Sequence, residues 1–288
     1  MTKRVVLIDT YVVFYNIVHR AIEAYGHIPE GFLLYGEAAL EWVNSLAWFP
    51  GLAKRDAIAV WVVDSAPYWR SDYHPDYKAA RIPKPPVFDG LRERFWEMDF
   101  RVLHRPGYEA DDVAAGVVQL WRDRSLDVQQ LFLATCDSDW QGLVCQPDVF
   151  WVDVMGYTPR VRQRNEIYHW LCSKWGKQSS YLKGQWRPPD PAQFECRHIW
   201  EWKRATGDSA DNLPPRSPLY LIDLLEPLPK FRLWDDPSFL ADVTHQLDRV
   251  RHETLPLSKA EHQMGMLGLN PPISAIDEFN ALLFTPVL

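Results

Sequence analysis

The sequence predicts an α/β fold in which a parallel sheet is covered by helices on both of its faces. Three observations favour this fold: short apolar runs, helix-compatible stretches between them, and a hydrophobic content of 47%. Strands that alternate with helices form parallel sheets, and strands buried on both faces lack polar alternation. A chain of 288 residues has room for one large domain, or for one domain with an appendage.

The predicted elements alternate along most of the chain. Strands are predicted at residues 5–8, 57–63, 100–103, 131–134 and 149–152, because each is a short apolar run. A helix follows the first strand through Tyr15 and Val18, and further helices are predicted over residues 37–46, 89–98 and 111–122. The sequence becomes rich in proline after Thr206. We therefore expect a sheet-containing domain over residues 1–205 and a helical region over residues 206–288.

Composition argues against secreted and membrane proteins. The four cysteines form no CxxC pair and are interpreted as reduced thiols of a cytoplasmic protein. The chain begins with a strand rather than an apolar signal segment, and no apolar run reaches membrane-spanning length. The net charge of −7 does not exclude a nucleic-acid partner, because bound metal ions neutralise acids and the basic residues are clustered.

Nine carboxylates lie at the ends of five segments, and three of these segments are predicted strands. They are Asp9, Asp64, Glu109, Asp111, Asp112, Asp137, Asp139, Asp208 and Asp211. The carboxyl ends of parallel strands meet at one edge, where ligands bind. Carboxylates gathered in a cleft repel one another unless divalent cations are present. We predict a metal site for phosphate chemistry, although each segment alone also fits a helix cap or a surface turn.

Cationic and aromatic residues follow the second strand. We interpret Lys78 and Arg81 as groups that stabilise charge on a scissile phosphate, and Tyr77 as a ring beneath a terminal base. Arg70 is a further candidate contact to nucleic acid. The alternative is a solvated loop without a specific role.

A second basic segment spans residues 157–190, in which seven cations face only two acids. Its candidate nucleic-acid contacts are Arg160, Arg162, Arg164, Lys174, Lys177 and Lys183. Tryptophans and a tyrosine lie between these cations, which is typical of a surface that attracts phosphates and stacks bases. The alternative is a helical hairpin whose tryptophans pack onto the sheet.

Taken in order, these motifs resemble the flap endonuclease and 5′-to-3′ exonuclease family, which includes bacteriophage 5′ nucleases and the 5′-nuclease domain of bacterial DNA polymerase I. The matching motifs are VVLID ending at Asp9, VVD ending at Asp64, YKxxR from Tyr77 to Arg81, GYEADD around Glu109, DSD at Asp137 to Asp139, and GDSADN around Asp208 and Asp211. The resemblance covers roughly the first 215 residues.

The resemblance implies a PIN-like catalytic domain over residues 1–205, with residues 157–190 as a basic insertion. It implies hydrolysis of DNA at or near a 5′ end by two Mg²⁺ or Mn²⁺ ions. Around the first ion it places Asp9, Asp64, Glu109 and Asp111. Around the second it places Asp112, Asp137, Asp139 and Asp208, with Asp211 nearby. The expected partners are DNA with a 5′ end or flap, an RNA–DNA hybrid in primer removal, and unidentified replication proteins in a bacterial or phage-infected cytoplasm.

The chain departs from the family after GDSADN. A glycine-rich helix-hairpin-helix turn is usual there and often binds K⁺, whereas residues 213–219 read LPPRSPL. Proline removes the backbone donors and the close approach that glycine gives, which argues against K⁺ binding. Two alternatives to the nuclease are a PIN-type ribonuclease and a DNA-binding replication accessory protein with a decayed catalytic centre. The presence of all nine acids disfavours the latter.

Overall fold

A six-stranded sheet forms the centre of the protein. The computed structural model describes residues 4–46, 48–49, 57–73, 75–79, 81, 83–123, 128–145, 147–154, 160–177, 186–195, 197–207, 241 and 244–245. The strands are β1 Arg4–Asp9, β2 Ala57–Val63, β3 Val102–His104, β4 Gln130–Ala134, β5 Val149–Asp153 and β6 Arg160–Arg162. Their spatial order is β3-β2-β1-β4-β5-β6. The first five are parallel, and β6 pairs antiparallel with β5.

Helices cover both faces of the sheet. They are α1 Thr10–Tyr25, α2 Phe32–Asn44, α3 Arg70–Tyr73, α4 Val87–Glu97, α5 Ala110–Arg122, α6 Arg164–Lys177 and α7 Arg197–Thr206, with short 3₁₀ helices at Trp140–Cys145 and Pro191–Gln193. Alternate residues of β1 enter two separate apolar clusters. Val6 and Ile8 pack with α1, α2 and α4, whereas Val5 and Leu7 pack with α5, α6 and α7. Among these helices, none is long and apolar enough to cross a lipid bilayer.

The predicted sheet with helices on both faces is confirmed, and most predicted elements lie within a few residues of the observed ones. The largest difference is at α2, which begins at Phe32 rather than at Glu37, and the third strand begins at Val102 rather than at Phe100. The Phe100 ring instead stacks on Trp61, with ring centroids 5.3 Å apart. Phe100 is therefore apolar because it packs beside the sheet, although it is not part of β3.

The antiparallel strand β6 was not predicted, and the expectation of a parallel sheet was wrong for this strand. Its three residues include only one apolar side chain, Val161, which is 44% exposed. An edge strand with one covered face carries a weak apolar signal. The predicted domain boundary falls at the end of α7, and the helical region expected over residues 206–288 lies almost entirely outside the described residues.

The register of the central strands brings the predicted acids to one edge. Asp9 ends β1 and lies beside Val62 of β2, while Ile8 lies beside Ala134 of β4. The three strands therefore end nearly level with one another. Asp64 follows β2 directly, and Asp137 lies three residues after β4.

Candidate active site

Asp9 is the central carboxylate of this edge and is buried, with 6% exposure. The hydroxyl of Thr135 donates to Asp9 Oδ2 at 2.7 Å, and the Val12 N–H donates to Asp9 Oδ1 at 3.3 Å. The Asp137 N–H in turn donates to Thr135 Oγ1 at 3.0 Å. Thr135 thus ties the ends of β1 and β4 together, and Asp9 also caps α1.

The electrostatics of Asp9 show that other acids face it. Burial, the Asp64 carboxylate and the Asp137 carboxylate raise the pKa of Asp9 to about 8, although its hydrogen bonds from Thr135 and Val12 act in the opposite direction. A carboxyl group keeps its proton in this way when like charges and low solvent access disfavour the ionised form. Asp64 and Asp137 therefore lie within electrostatic reach of Asp9 at this edge of the sheet.

Asp64 connects this group to helix α5. Its Oδ1 accepts the Ala110 N–H at 2.6 Å, and its Oδ2 accepts the Tyr68 hydroxyl at 3.4 Å. Ala110 is the first residue of α5, so the carboxylate lies against the positive end of the helix dipole. A strand end and a helix start are thereby held at the same point.

A second group of acids surrounds the start of α5. Ligand atoms of Glu109, Asp111 and Asp112 lie within 4.8 Å of one another. Asp112 Oδ2 accepts the Glu109 N–H at 3.1 Å, so that one acid of the group fixes the backbone of another. Glu109 and Asp112 are buried, and Asp111 is half-buried. Ala110 separates Glu109 from Asp111, which places this group directly beside Asp64.

Arg70 neutralises part of this second group from inside the protein. Its guanidinium donates to both oxygens of Asp112, at 2.8 and 2.7 Å, and also to Glu109. Arg70 is 1% exposed. The prediction that Arg70 contacts nucleic acid was therefore wrong, because a phosphate cannot reach a guanidinium that is enclosed and already paired. Trp69 adds a hydrogen bond from its indole N–H to Asp112 Oδ2 at 3.4 Å.

Tyr77 and Lys78 both contact Glu109. The Tyr77 hydroxyl donates to Glu109 Oε2 at 2.8 Å, and Lys78 Nζ forms an ion pair with Glu109 Oε1. Because Tyr77 is only 7% exposed, its ring offers little open face to a terminal base, contrary to our interpretation. Lys78 lies over the rings of Tyr68 and Tyr77, at 4.8 and 5.1 Å from their centroids. Arg81 is exposed, and its backbone N–H donates to the Lys78 carbonyl at 3.1 Å.

Asp139 has a cationic partner that the sequence interpretation missed. Lys203 on α7 forms an ion pair with Asp139, and both side chains are buried. The available signal was helical spacing, since Lys203 follows the buried Ile199 by four residues and therefore shares its face. Asp208 and Asp211, which follow α7 in the sequence, lie outside the described residues.

The resemblance placed Asp112 with Asp137, Asp139 and Asp208 around a second ion, and that grouping stays a prediction. In the structure Asp112 lies beside Glu109 and Asp111 and is held by Arg70. The two groups nevertheless adjoin through Asp64 and supply only carboxylate oxygens, the donors that Mg²⁺ and Mn²⁺ prefer. The mutual repulsion around Asp9 is the feature that a divalent cation relieves. The described residues therefore fit divalent metal binding.

The basic segment is divided between surface and structural cations. Arg160, Lys174 and Lys177 are exposed, as a phosphate contact requires. Arg164 instead donates to the Phe194 carbonyl at 2.7 and 3.2 Å and to the Pro191 carbonyl at 3.3 Å. The Arg162 guanidinium lies 4.6 Å from the Trp151 ring centroid. Lys183 is outside the described residues.

The tryptophans of this segment pack within the protein. Trp170 meets Trp202 edge to face at 5.7 Å, and Trp175 donates from its indole N–H to the Trp186 carbonyl at 2.9 Å. Trp170 and Trp186 also pack against the core cluster on the α5 face. For these residues the alternative of packing onto the sheet is correct.

Known proteins match most of the chain. The family model described as "5'-3' exonuclease, N-terminal resolvase-like domain" matches residues 4–170. DNA polymerase I of Caldicellulosiruptor bescii is 20% identical over 256 residues, which cover 88% of this chain and 27% of that protein. Flap endonuclease Xni of Yersinia pestis is 41% identical over 59 residues, which cover 19% of this chain and 27% of the relative.

Solved structures from bacteriophage T5 are also similar. A mutant of T5 5′-exonuclease gives a TM-score of 0.46 at 17% identity, covering 86% of each chain. The T5 flap endonuclease complexed with DNA and metal ions gives a TM-score of 0.43 at 15% identity, covering 86% of this chain and 87% of that one.

The alignments span about a quarter of the length of the curated relatives. The family match, in contrast, covers more than half of this chain and includes β1 to β5 with the acids that follow them. The chain therefore belongs to the 5′-3′ exonuclease family, and the part of it that matches the N-terminal resolvase-like domain of that family contains the acidic edge described above.

Proposed function

We propose that this protein is a divalent-metal-dependent 5′ nuclease that hydrolyses DNA phosphodiesters at or near 5′ ends. The observation that carries the proposal is the convergence of Asp9, Asp64 and Asp137 from three neighbouring parallel strands. The group at the start of α5 adjoins them through the Asp64 hydrogen bond to Ala110. Acids that merely capped helices or turns on separate surfaces would not converge in this way.

The two groups of carboxylates are the proposed holders of two ions, with Asp208 and Asp211 as further candidates. Bound Mg²⁺ or Mn²⁺ lowers the pKa of an attacking water and stabilises charge on the phosphate and the leaving oxygen. Asp112 and Asp139 chiefly fix the geometry of the site, since they already form ion pairs with Arg70 and Lys203. K⁺ is not part of the proposal.

Lys78 and Arg81 are the proposed cations for the reacting phosphate. Lys78 lies at the Glu109 carboxylate, and Arg81 is exposed three residues further on. Positive groups fixed at the place where negative charge develops stabilise the transition state more than the ground state. Tyr77 orients Glu109 through its hydroxyl rather than stacking on a base.

The proposed substrate is DNA with a free 5′ end or a 5′ flap, and an RNA–DNA hybrid is a further candidate. The flap endonuclease and DNA polymerase I relatives support the choice of 5′-ended DNA. Exposed Arg160, Lys174 and Lys177 supply a surface for backbone phosphates. We place the activity in the cytoplasm of a bacterial or phage-infected cell, alongside replication proteins.

Cleavage of a 5′-labelled flap and of a nicked duplex tests the proposal. We expect cutting with Mg²⁺ or Mn²⁺ and none with a chelator. Asp64→Asn should lower kcat by at least about 100-fold, because the amide keeps the acceptor for Ala110 but loses the charge. Asp72→Asn is the matched control, since Asp72 is exposed on α3 and belongs to neither acidic group.

Cutting that persists in chelator, or full activity of Asp64→Asn, contradicts the proposal. Matched DNA and RNA flaps of one sequence separate the 5′ nuclease from a PIN-type ribonuclease. A protein that binds the flap but never cuts it, with either metal, is instead the accessory protein with a decayed centre.

A further inference from the structure

Thr135 is a buried residue that directly follows β4, at the edge of the sheet where the acids lie. Its backbone N–H donates to the Val152 carbonyl at 3.1 Å, so the chain at this point is still paired with β5. The side chain of a threonine is also stiff, because its β-branch restricts rotation about χ1. The hydroxyl of Thr135 is therefore held on a rigid part of the sheet.

The Thr135 hydroxyl forms two hydrogen bonds, and the chemistry of its partners fixes the direction of each. A backbone N–H can only donate, so Thr135 Oγ1 accepts from the Asp137 N–H at 3.0 Å. An ionised carboxylate can only accept, so the hydroxyl donates its proton to Asp9 Oδ2, with the two oxygens 2.7 Å apart. One side chain thus holds both the carboxylate of Asp9 and the backbone of Asp137.

These two hydrogen bonds belong to a longer series that continues on both sides of Thr135. On one side, Asp137 Oδ1 accepts the Asp139 N–H at 2.8 Å. On the other side, Asp9 Oδ1 accepts the Val12 N–H at 3.3 Å, at the start of α1. Thr135 joins the two sides, because it contacts one acid of each. Loss of its hydroxyl should therefore release Asp9 from Asp137 and leave the strand pairing in place.

Such a restraint matters most where like charges adjoin. Asp9 and Asp137 repel each other when both are ionised, which is the state that a metal ligand requires. Carboxylates that are free to rotate turn apart, and a cation must reverse that rotation when it binds. Ligands that are oriented in advance avoid this loss of affinity. A hydrogen bond to an ionised carboxylate is charge-assisted, and is therefore stronger than one between neutral groups.

We propose that Thr135 is a positioning residue of the metal site, and that its hydroxyl holds the Asp9 carboxylate beside Asp137 so that both acids can bind a divalent cation. This inference rests on the proposed function and deepens it, because it names a residue that determines metal affinity through its contact with a carboxylate. Thr135 itself is not a proposed metal ligand. Its role is to keep the ends of β1 and β4 in the arrangement that the cation needs.

Calorimetric titration of the intact protein with Mn²⁺, in the absence of DNA, tests the inference. Thr135→Val keeps the shape of the side chain but removes its hydroxyl, and it should raise the Kd for Mn²⁺ by about 10- to 100-fold. Thr135→Ser keeps the hydroxyl but removes a buried methyl group, so it should lower the Tm and still bind Mn²⁺ nearly as tightly as the wild type. A residue that only supported the fold would instead make Mn²⁺ affinity follow the Tm in both variants.

Thr10→Val is the matched control. Thr10 directly follows Asp9 and is also buried, at 1% exposure, but its hydroxyl has no hydrogen-bond partner among the residues that the structure describes. The same substitution at Thr10 therefore removes a hydroxyl without releasing a carboxylate, and it should leave the Kd for Mn²⁺ unchanged.

Unchanged Mn²⁺ affinity in Thr135→Val, or a loss of affinity in Thr135→Ser, overturns the inference. If Thr135→Val does not fold, Thr135→Ser alone decides the question, because retained affinity at a lower Tm supports the positioning role and lost affinity rejects it. A wild-type protein that binds Mn²⁺ and cuts 5′-ended DNA alongside a negative result shows that the role of Thr135 alone is wrong. A wild-type protein that neither binds Mn²⁺ nor cuts DNA rejects the proposed function as well.

Discussion

Arg70 and Asp112 form a bidentate ion pair in the interior of the protein, although 42 residues separate them in the sequence. Both side chains are almost completely enclosed. The pair joins α3 to the first turn of α5, and Arg70 extends it to Glu109. A group that had the features of a surface cation in the sequence is instead a fixed counter-ion of the acidic site.

This ion pair predicts that a single substitution lowers the free energy of unfolding much more than the double substitution does. Arg70→Met leaves Asp112 buried without its partner and should lower the free energy of unfolding by about 3–5 kcal/mol. Arg70→Met combined with Asp112→Leu should recover part of that loss. Urea unfolding measures both. Arg92→Met is the control, because Arg92 and its partner Asp89 are exposed, and it should cost less than about 1 kcal/mol. Equal losses for Arg70→Met and Arg92→Met contradict the prediction.

The raised pKa of Asp9 predicts how stability depends on pH in the metal-free protein. The unfolded chain releases this proton near the ordinary value of 3.8, but the folded chain retains it until about pH 8. The folded state therefore binds more protons between these values, and the Asp9 contribution to stability falls as the pH rises. We expect Asp9→Asn to become progressively more stable than the wild type from pH 5 to pH 8 in EDTA, as measured by Tm.

Metal binding should oppose this effect, because it requires an ionised carboxylate. Mg²⁺ should raise the Tm of the wild type more at pH 8 than at pH 6, and should have a smaller effect on Asp9→Asn. Asp72→Asn should follow the wild type throughout, since Asp72 lies outside both acidic groups. Parallel Tm curves for wild type and Asp9→Asn across this pH range would falsify the assignment.

The basic segment contains exposed cations and structural cations, so we predict that substitutions of the first kind weaken DNA binding and substitutions of the second kind lower stability. Arg160→Ala and Lys177→Ala should each reduce the salt slope of duplex binding by about 0.9, because each removes one exposed phosphate contact. Arg164→Ala should leave that slope unchanged and lower the Tm, because its guanidinium holds the Phe194 and Pro191 carbonyls. Binding titrations from 50 to 200 mM salt, in steps of about 50 mM, separate the two. A steeper or equal slope for Arg160→Ala excludes a role for Arg160 at the backbone.

Lys78 predicts a split between kcat and KM. Lys78→Ala should lower kcat by about 100- to 1000-fold with a smaller change in KM, if this cation stabilises charge that develops during the reaction. Lys78→Arg should restore part of the rate. Lys174→Ala is the control, because Lys174 is exposed on α6, and it should affect KM rather than kcat. A change confined to KM in Lys78→Ala places Lys78 in ground-state binding instead.

The strand-end acids were predictable because each depends on a local pattern. An apolar run that ends in an aspartate identifies the strand and its end, and parallel pairing then brings Asp9 and Asp64 to one edge. The partners of these acids were not predictable in the same way. Arg70 and Lys203 reach Asp112 and Asp139 only through the packing of α3 and α7, which sequence spacing does not specify.

Exposure was the second quantity that local sequence did not determine. Tyr77 and Arg70 lie in a segment rich in polar residues, yet both are buried, since Glu109 and Asp112 draw them inward. The tryptophans after residue 157 illustrate the same limit, because alternation with cations is equally typical of a stacking surface and of a packed hairpin. The contact of Trp170 with Trp202 and the packing of Trp170 and Trp186 against the core distinguish the two.

Because the Ala110 N–H donates to Asp64, the position of α5 determines the geometry of both acidic groups. A shift of this helix displaces Glu109, Asp111 and Asp112 as a unit and removes a support of Asp64 at the same time. Substitutions that do not touch the carboxylates, such as enlargement of Ala114 or Val117 against the sheet, should therefore lower kcat before they lower the solubility of the protein. In a mutational scan, the hidden side of α5 should be as intolerant as the carboxylates themselves.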